Sequence, residues 1–198
     1  MTIRVIFAQN KLRVKLLFIF LILFSPFTGW AQDKAPYIMN TEGSFVLGGQ
    51  ISRNTLVPRT GPFVNVSMMR AYHQRMQLGF GLGVMGLEDE VFLPAFVNLR
   101  VKINNNPSGF YFSMKTGYSI GYNPKATAIE GTSYRGGWFA QPTFGYTSQL
   151  SEKLKFDFGL QLIYQQGRLT RVFETTQISN RERLRFTLFG IMCGFSFE

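Results

Sequence analysis

Beyond residue 43 the chain alternates between apolar and small or polar residues, and does so in eight separate runs. In GFYFSMKTGYSIGY, Phe110, Phe112, Met114, Thr116, Tyr118, Ile120 and Tyr122 share one face. Tyr111, Ser113, Lys115, Gly117, Ser119 and Gly121 share the other. LKFDFGLQLIYQQ repeats the pattern, with Leu154, Phe156, Phe158, Leu160, Leu162 and Tyr164 opposite Lys155, Asp157, Gly159, Gln161, Ile163 and Gln165. Period two is the signature of a strand with one apolar side. A third clear run covers Met76 to Gly86, and looser ones cover Ser44 to Arg53, Pro62 to Tyr72, Val91 to Asn104, Gly137 to Gln149 and Leu184 to Phe197. Each is long enough for a tilted strand to cross the apolar zone of a membrane, which takes about 9 to 11 residues.

The less apolar face decides the architecture. In a soluble antiparallel sheet the face turned to water is well charged. Here it carries mainly glycine, serine and glutamine with a few ions. Such a face suits a narrow polar interior, with Phe, Leu, Val and Tyr turned to lipid. The fold expected is all-β, an eight-stranded antiparallel up-and-down transmembrane barrel, just wide enough for side chains to fill it. The segment GLGVMG (Gly81 to Gly86) matches G-x-G-x-x-G, but a dinucleotide loop needs a helix opening at its last glycine. Gly86 instead leads into Leu87, Glu88, Asp89, Glu90 and another strand-like run, so the glycines read as barrel wall making room for larger lumen side chains.

Connection lengths fit this reading. Longer gaps at residues 54–61, 86–90, 123–136 and 167–183 alternate with short ones at 73–75, 105–108 and 150–153. Outer-membrane barrels have short periplasmic turns and longer outer loops. Both termini are therefore expected on the periplasmic side.

Composition sharpens the picture. The 198 residues are 16% charged and 16% aromatic. A soluble domain carries about 25% charged residues. Mean hydropathy is only +0.03, too low for several long apolar helices. Ahead of the alternating runs, Arg4, Lys11, Arg13 and Lys15 precede LLFIFLILF and then Gly29-Trp30-Ala31, the order of a secretory signal peptide. Residues 1–31 are read as that leader, 32–42 as an N-terminal lead and 43–198 as the barrel. Cleavage near Ala31-Gln32 removes four of the 21 basic residues and none of the 11 acids, leaving a net charge of about +6. That mild charge, with no basic stripe interleaved with aromatics, argues against nucleic acid as a partner. Cys193 is the lone cysteine and has no internal disulfide partner.

The chain closes on Phe189, Ile191, Cys193, Phe195 and Phe197 at alternate positions, followed by Glu198. Together with the leader ending in Ala31-Gln32, the eight runs and VFLPAFVNLRVKI, this terminus resembles the small outer-membrane β-barrel proteins of Bacteroidota, a broad family related in shape to the OmpA transmembrane domain. The resemblance covers about residues 42–198 and takes those five residues as a carboxy-terminal assembly signal. Such signals usually end on the aromatic itself. The resemblance implies insertion by the barrel-assembly machinery, contact with outer-membrane lipid and lipopolysaccharide, and a structural or interaction role, with accessory subunits of envelope and secretion complexes among the family's members. It brings no catalytic motif, cofactor or metal site, and no peptidoglycan-binding domain after the barrel.

Individual residues add site expectations. Arg100, Lys102, Lys115 and Asp157 fall on the lumen face, and buried charges need partners. A cross-lumen ion pair of Asp157 with Arg100 or Lys102 would close the barrel; separately hydrated charges in a wet lumen are the alternative. Arg168, Arg171, Arg181, Arg183 and Arg185 flank the last long gap, where lipid phosphates would lie, and guanidinium suits bidentate phosphate contact. Arg183, Arg185 and Thr187 share the phase of Phe189, so the last strand should either rise above the lipid or contain a bulge. Glu88, Asp89 and Glu90 read as a solvated acidic tip, since calcium prefers six to eight oxygens. His73, the single histidine, reads as a turn residue with no serine beside it to serve as nucleophile. Two other classes stay open: a lipid-modifying barrel enzyme, which would need a nucleophile and base clustered at headgroup level, and a secreted soluble barrel holding an apolar ligand inside.

Overall fold

The structure, a computed structural model, describes residues 37–52, 55–129, 131–173 and 178–198. The expected leader at 1–31 and residues 32–36 of the lead lie outside the described residues.

The strands are β1 (Tyr37–Ser52), β2 (Thr55–His73), β3 (Met76–Leu87), β4 (Glu90–Lys102), β5 (Gly109–Tyr122), β6 (Thr132–Arg135), β7 (Trp138–Gln149), β8 (Leu154–Phe173) and β9 (Ile178–Phe197). One short helix, α1 (Pro124–Thr127), stands between β5 and β6. Each long strand pairs antiparallel with its neighbours in sequence, and β9 pairs with both β8 and β1. Eight long strands therefore close into a ring, and the short β6 adds to the top of β8 in line with β7. GLGVMG lies wholly inside β3, as wall. Added Cβ atoms on Gly81 and Gly83 would come within 2.6 Å of Phe96 Cε2 and 2.7 Å of Phe63 Cε2, so these positions must be bare for those rings to fit.

Burial alternates along every wall strand. On β4, Phe92, Phe96, Asn98 and Arg100 are buried inside, while Leu93, Val97 and Leu99 face out. Outward faces elsewhere carry Phe45, Leu47, Val64, Val66, Phe80, Leu82, Phe110, Phe112, Ile120, Phe158, Leu160 and Ile191, all substantially exposed. The soluble-barrel alternative, with apolar faces turned inward, does not describe this molecule.

Several strands outrun their sequence signal. β1 begins at Tyr37 and not at Ser44, so the end of the lead at 37–42 is strand. The expected long gaps at 54–61 and 167–183 are largely strand as well, forming two tall hairpins. At the top of β2, residues 55–58 are all exposed, so neither face is buried and no alternation marks them. Pro58 and Pro62 fit there because β2 pairs with β3 only from Phe63 downward, leaving an open edge that needs no donor. β9 keeps one unbroken register with β8 from Phe197 to Ile178; it rises and contains no bulge.

At the end where β1 begins and β9 finishes, the connections are tight and tied together. Arg75 Nε donates to Asn105 Oδ1 at 2.7 Å, and Asn105 Nδ2 donates to Gln74 Oε1 at 3.1 Å. The main-chain N–H of Gln149 donates to Ser108 Oγ at 2.9 Å.

Candidate functional site: a lumen closed in two layers

The inside of the ring divides by height. The half nearer the start of β1 and the end of β9 is polar, and the half nearer the tall hairpins is aromatic and aliphatic.

Four charges from four strands meet in the polar half: Glu42 (β1), Arg100 (β4), Lys115 (β5) and Asp157 (β8). Arg100 Nη1 lies 3.1 Å from Asp157 Oδ2, and Arg100 Nη2 lies 3.5 Å from Glu42 Oε1. The Lys115 ammonium contacts the other oxygen of Glu42. Because β1 and β5 stand on opposite sides of the ring, the Glu42–Lys115 contact spans the lumen. Two cations and two anions cancel, and all four groups are buried. Burial of this kind is tolerable only when the remaining lone pairs and protons also find partners; the two carboxylates do, while Arg100 Nε and Nη2 have no hydrogen-bond acceptor among the described residues. Asp157 accepts from Thr147 Oγ1 at 2.5 Å and Ser196 Oγ at 2.6 Å. Glu42 accepts from Asn40 Nδ2 at 3.2 Å and Asn65 Nδ2 at 3.3 Å. The Arg100 guanidinium also lies over the Tyr111 ring at 4.1 Å, a cation–π contact.

The structure thus brings Arg100, Lys115 and Asp157 into one network and leaves Lys102 out; Lys102 is half-buried at the end of β4. Glu42, the hinge of the network, carried no sequence expectation. Extending the phase of Phe45 and Leu47 backward by whole steps of two would have placed it inside. A glutamine bridge lies further up, Gln141 Nε2 donating to Gln161 Oε1 at 2.6 Å and Gln161 Nε2 to Ser44 Oγ at 2.7 Å.

Above that, Phe63, Phe92, Phe96, Phe139 and Phe186 close the lumen together with Met85, Ile163 and Leu188. Phe92 and Phe186 meet edge to face at 5.3 Å between centroids. Phe139 lies 5.9 Å from both Phe63 and Phe96. Small and polar residues were expected to fill the lumen; in this half, rings do.

At the mouth, Arg59 of β2 binds Glu88 at 2.7 Å and Glu90 at 3.4 Å, and Lys125 of α1 binds Asp89 at 2.6 Å. The hydrogen bond to Asp89 raises the pKa of the Lys125 ammonium above its ordinary value. The acidic triplet is therefore paired: Glu88 stays exposed at the tip, as its sequence suggests, while Glu90 is buried. Asn123 caps α1, its side-chain oxygen accepting from Ala126 N at 2.9 Å, with Pro124 at the first helical position, where a missing N–H costs nothing.

The remaining candidates sit on the outside or at the ends. His73 is exposed at the β2–β3 turn. Phe189, Ile191, Cys193, Phe195 and Phe197 all face outward along β9, while Glu198 reaches across to the Lys155 ammonium. Arg168, Arg181, Arg183 and Arg185 share the outward phase of their strands, whereas Arg171 falls on the inward phase and borders the mouth.

No family model matches the chain, and no curated protein matches it in sequence. Solved structures do match its fold. The crystal structure of the outer membrane protein OprG from Pseudomonas aeruginosa aligns with a TM-score of 0.51 and 12% identity, covering 83% of this chain and 97% of that one. Neisserial surface protein A aligns with a TM-score of 0.54 and 8% identity, covering 83% and 99%. The chain has the fold of a small eight-stranded outer-membrane barrel. At these identities the likeness extends to architecture and no further.

Proposed function

We propose that this protein is a closed, non-enzymatic barrel of the outer membrane, exported by a leader cleaved near Ala31-Gln32 and inserted by the barrel-assembly machinery. Its termini are periplasmic, and its tall hairpins are offered outward to lipopolysaccharide or to a protein partner in an envelope or secretion complex. The observation that carries this reading is the pairing of an apolar outer wall with a lumen filled at two levels. A wall of exposed Phe, Leu, Ile and Val is stable only in lipid. A lumen occupied by a compensated ionic network and then by packed rings offers no open path to water or solutes.

The test is made on outer membranes and on purified protein. Unboiled protein should migrate differently from boiled protein in SDS gels and resist carbonate extraction. Reconstituted in planar bilayers, it should show no stepwise conductance. Recovery as a soluble periplasmic protein without a mobility shift would sink the membrane reading, and regular conductance steps would sink the closed lumen.

A further inference from the structure

The outer surface near the tall hairpins carries a charge arrangement that the barrel fold does not call for. Arg135 of β6 is registered directly opposite Arg168 of β8, and Arg168 directly opposite Arg183 of β9. Arg185 lies two residues further along β9 on the same face. Like charges directly opposite on neighbouring strands destabilise a sheet. The ion pairs among the described residues engage Arg59, Arg100, Lys115, Lys125 and Lys155 and none of these four arginines.

The local backbone is built to make this row. Between Arg135↔Arg168 and Phe139↔Gln165 the β6–β7 side has one residue more than β8, a bulge at Gly136-Gly137. The extra residue reverses the phase: odd-numbered residues of β7 such as Phe139 and Gln141 point inward, while Arg135 is exposed. Only glycine fits the bulge, since a Cβ on Gly136 would lie 2.1 Å from the carbonyl oxygen of Ser119. The bulge also opens a groove of about 340 Å³ on the wall, lined by Tyr118, Trp138, Arg168, Arg183 and Arg185. Trp138 and Tyr118 pair at the level of Gln165 and Gln166, and Arg168 and Arg183 pair two residues further up, the order in which a lipid presents its acyl region and then its phosphate.

We infer that this groove binds the phosphorylated headgroup of an outer-leaflet glycolipid, its phosphates held by Arg168, Arg183 and Arg185 with Arg135 beside them on β6, and its sugar and upper acyl region resting on Trp138 and Tyr118. The inference rests on the membrane reading above and narrows the lipid contact to four guanidiniums on one face. Arg171 is not part of it.

The experiment uses the folded barrel in nanodiscs of zwitterionic phosphatidylcholine, with insertion first verified by the mobility shift on boiling. Failure at that step would count against the membrane reading and not against the groove. Diphosphoryl lipid A, its dephosphorylated form and inorganic phosphate are then titrated and binding is followed by Trp138 fluorescence and native mass spectrometry. Diphosphoryl lipid A should bind at least about tenfold more tightly than the dephosphorylated form, the expected contribution of one or two charge-assisted contacts. R168Q/R183Q/R185Q should lose that preference, whereas R171Q should keep it. Equal binding of the phosphorylated and dephosphorylated lipids to the unaltered barrel would overturn the site without recourse to any variant. Inorganic phosphate binding as tightly as lipid A would reveal a free-anion site and overturn the lipid assignment.

Discussion

Among single residues, Glu42 has the widest reach, because it meets Lys115, Arg100, Asn40 and Asn65 at once. Removing its carboxylate strands a fully buried ammonium on β5. Breaking a buried pair from one side costs about 3 to 5 kcal/mol, whereas removing both partners can be far milder. E42A should therefore lower unfolding stability in urea by about that amount, and E42A/K115A should recover much of the loss. Equal stability of wild type and E42A would mean that the charges are separately hydrated. D157N should be milder than E42A, because the amide oxygen can still accept from Ser196 and Arg100 while the new NH2 donates to the Thr147 hydroxyl, which can turn to accept.

At the scale of the strand, depth in the membrane and exposure can be separated. Leu82 of β3 and Leu56 of β2 are almost equally exposed, at 66% and 67%. Leu82 lies in the middle of the alternating wall, Leu56 near the tip of a tall hairpin. An arginine on the lipid face at the midplane costs about 2 to 4 kcal/mol, and close to nothing well outside it. L82R should lose that much stability in liposomes while L56R folds like the wild type; equal costs would contradict a lipid-facing belt. The β3 glycines offer a second check from the other side of the same strand. G83V would press on Phe63 and Asn65, and overpacking of this kind costs about 1 to 3 kcal/mol. Denaturant midpoints in micelles would read it, and F63A in the same chain should relieve part of the loss.

For the whole molecule, the two closures act in series. Trimming three of the five rings in F92A/F139A/F186A opens the upper lumen but leaves the ionic network below intact, so conductance in planar bilayers should stay absent. Adding E42A/K115A to those three should admit ions. Conductance from the ring variants alone would show that the ionic layer does not seal. Conductance that never appears, in protein shown to be folded, would place the seal elsewhere.

Much of this architecture is legible in the chain itself, because a buried face and a lipid face impose period two wherever the wall divides them. Strand identity, the outward set from Leu154 to Tyr164 and the inward aim of Arg100, Lys115 and Asp157 all stem from that one constraint. It falls silent where the constraint lapses: the hairpin top at 55–58 is wet on both sides, so it reads as loop while pairing as strand. Register is equally invisible, since a strand's own alternation does not say how far it slides against its neighbour. Only closure of the ring set Glu42 across from Lys115, and only one inserted residue at Gly136-Gly137 turned Arg135 outward beside Arg168 and Arg183. Which faces are apolar can be read along the chain; which charges meet cannot, because that depends on pairing between distant strands and on a bulge that shifts phase.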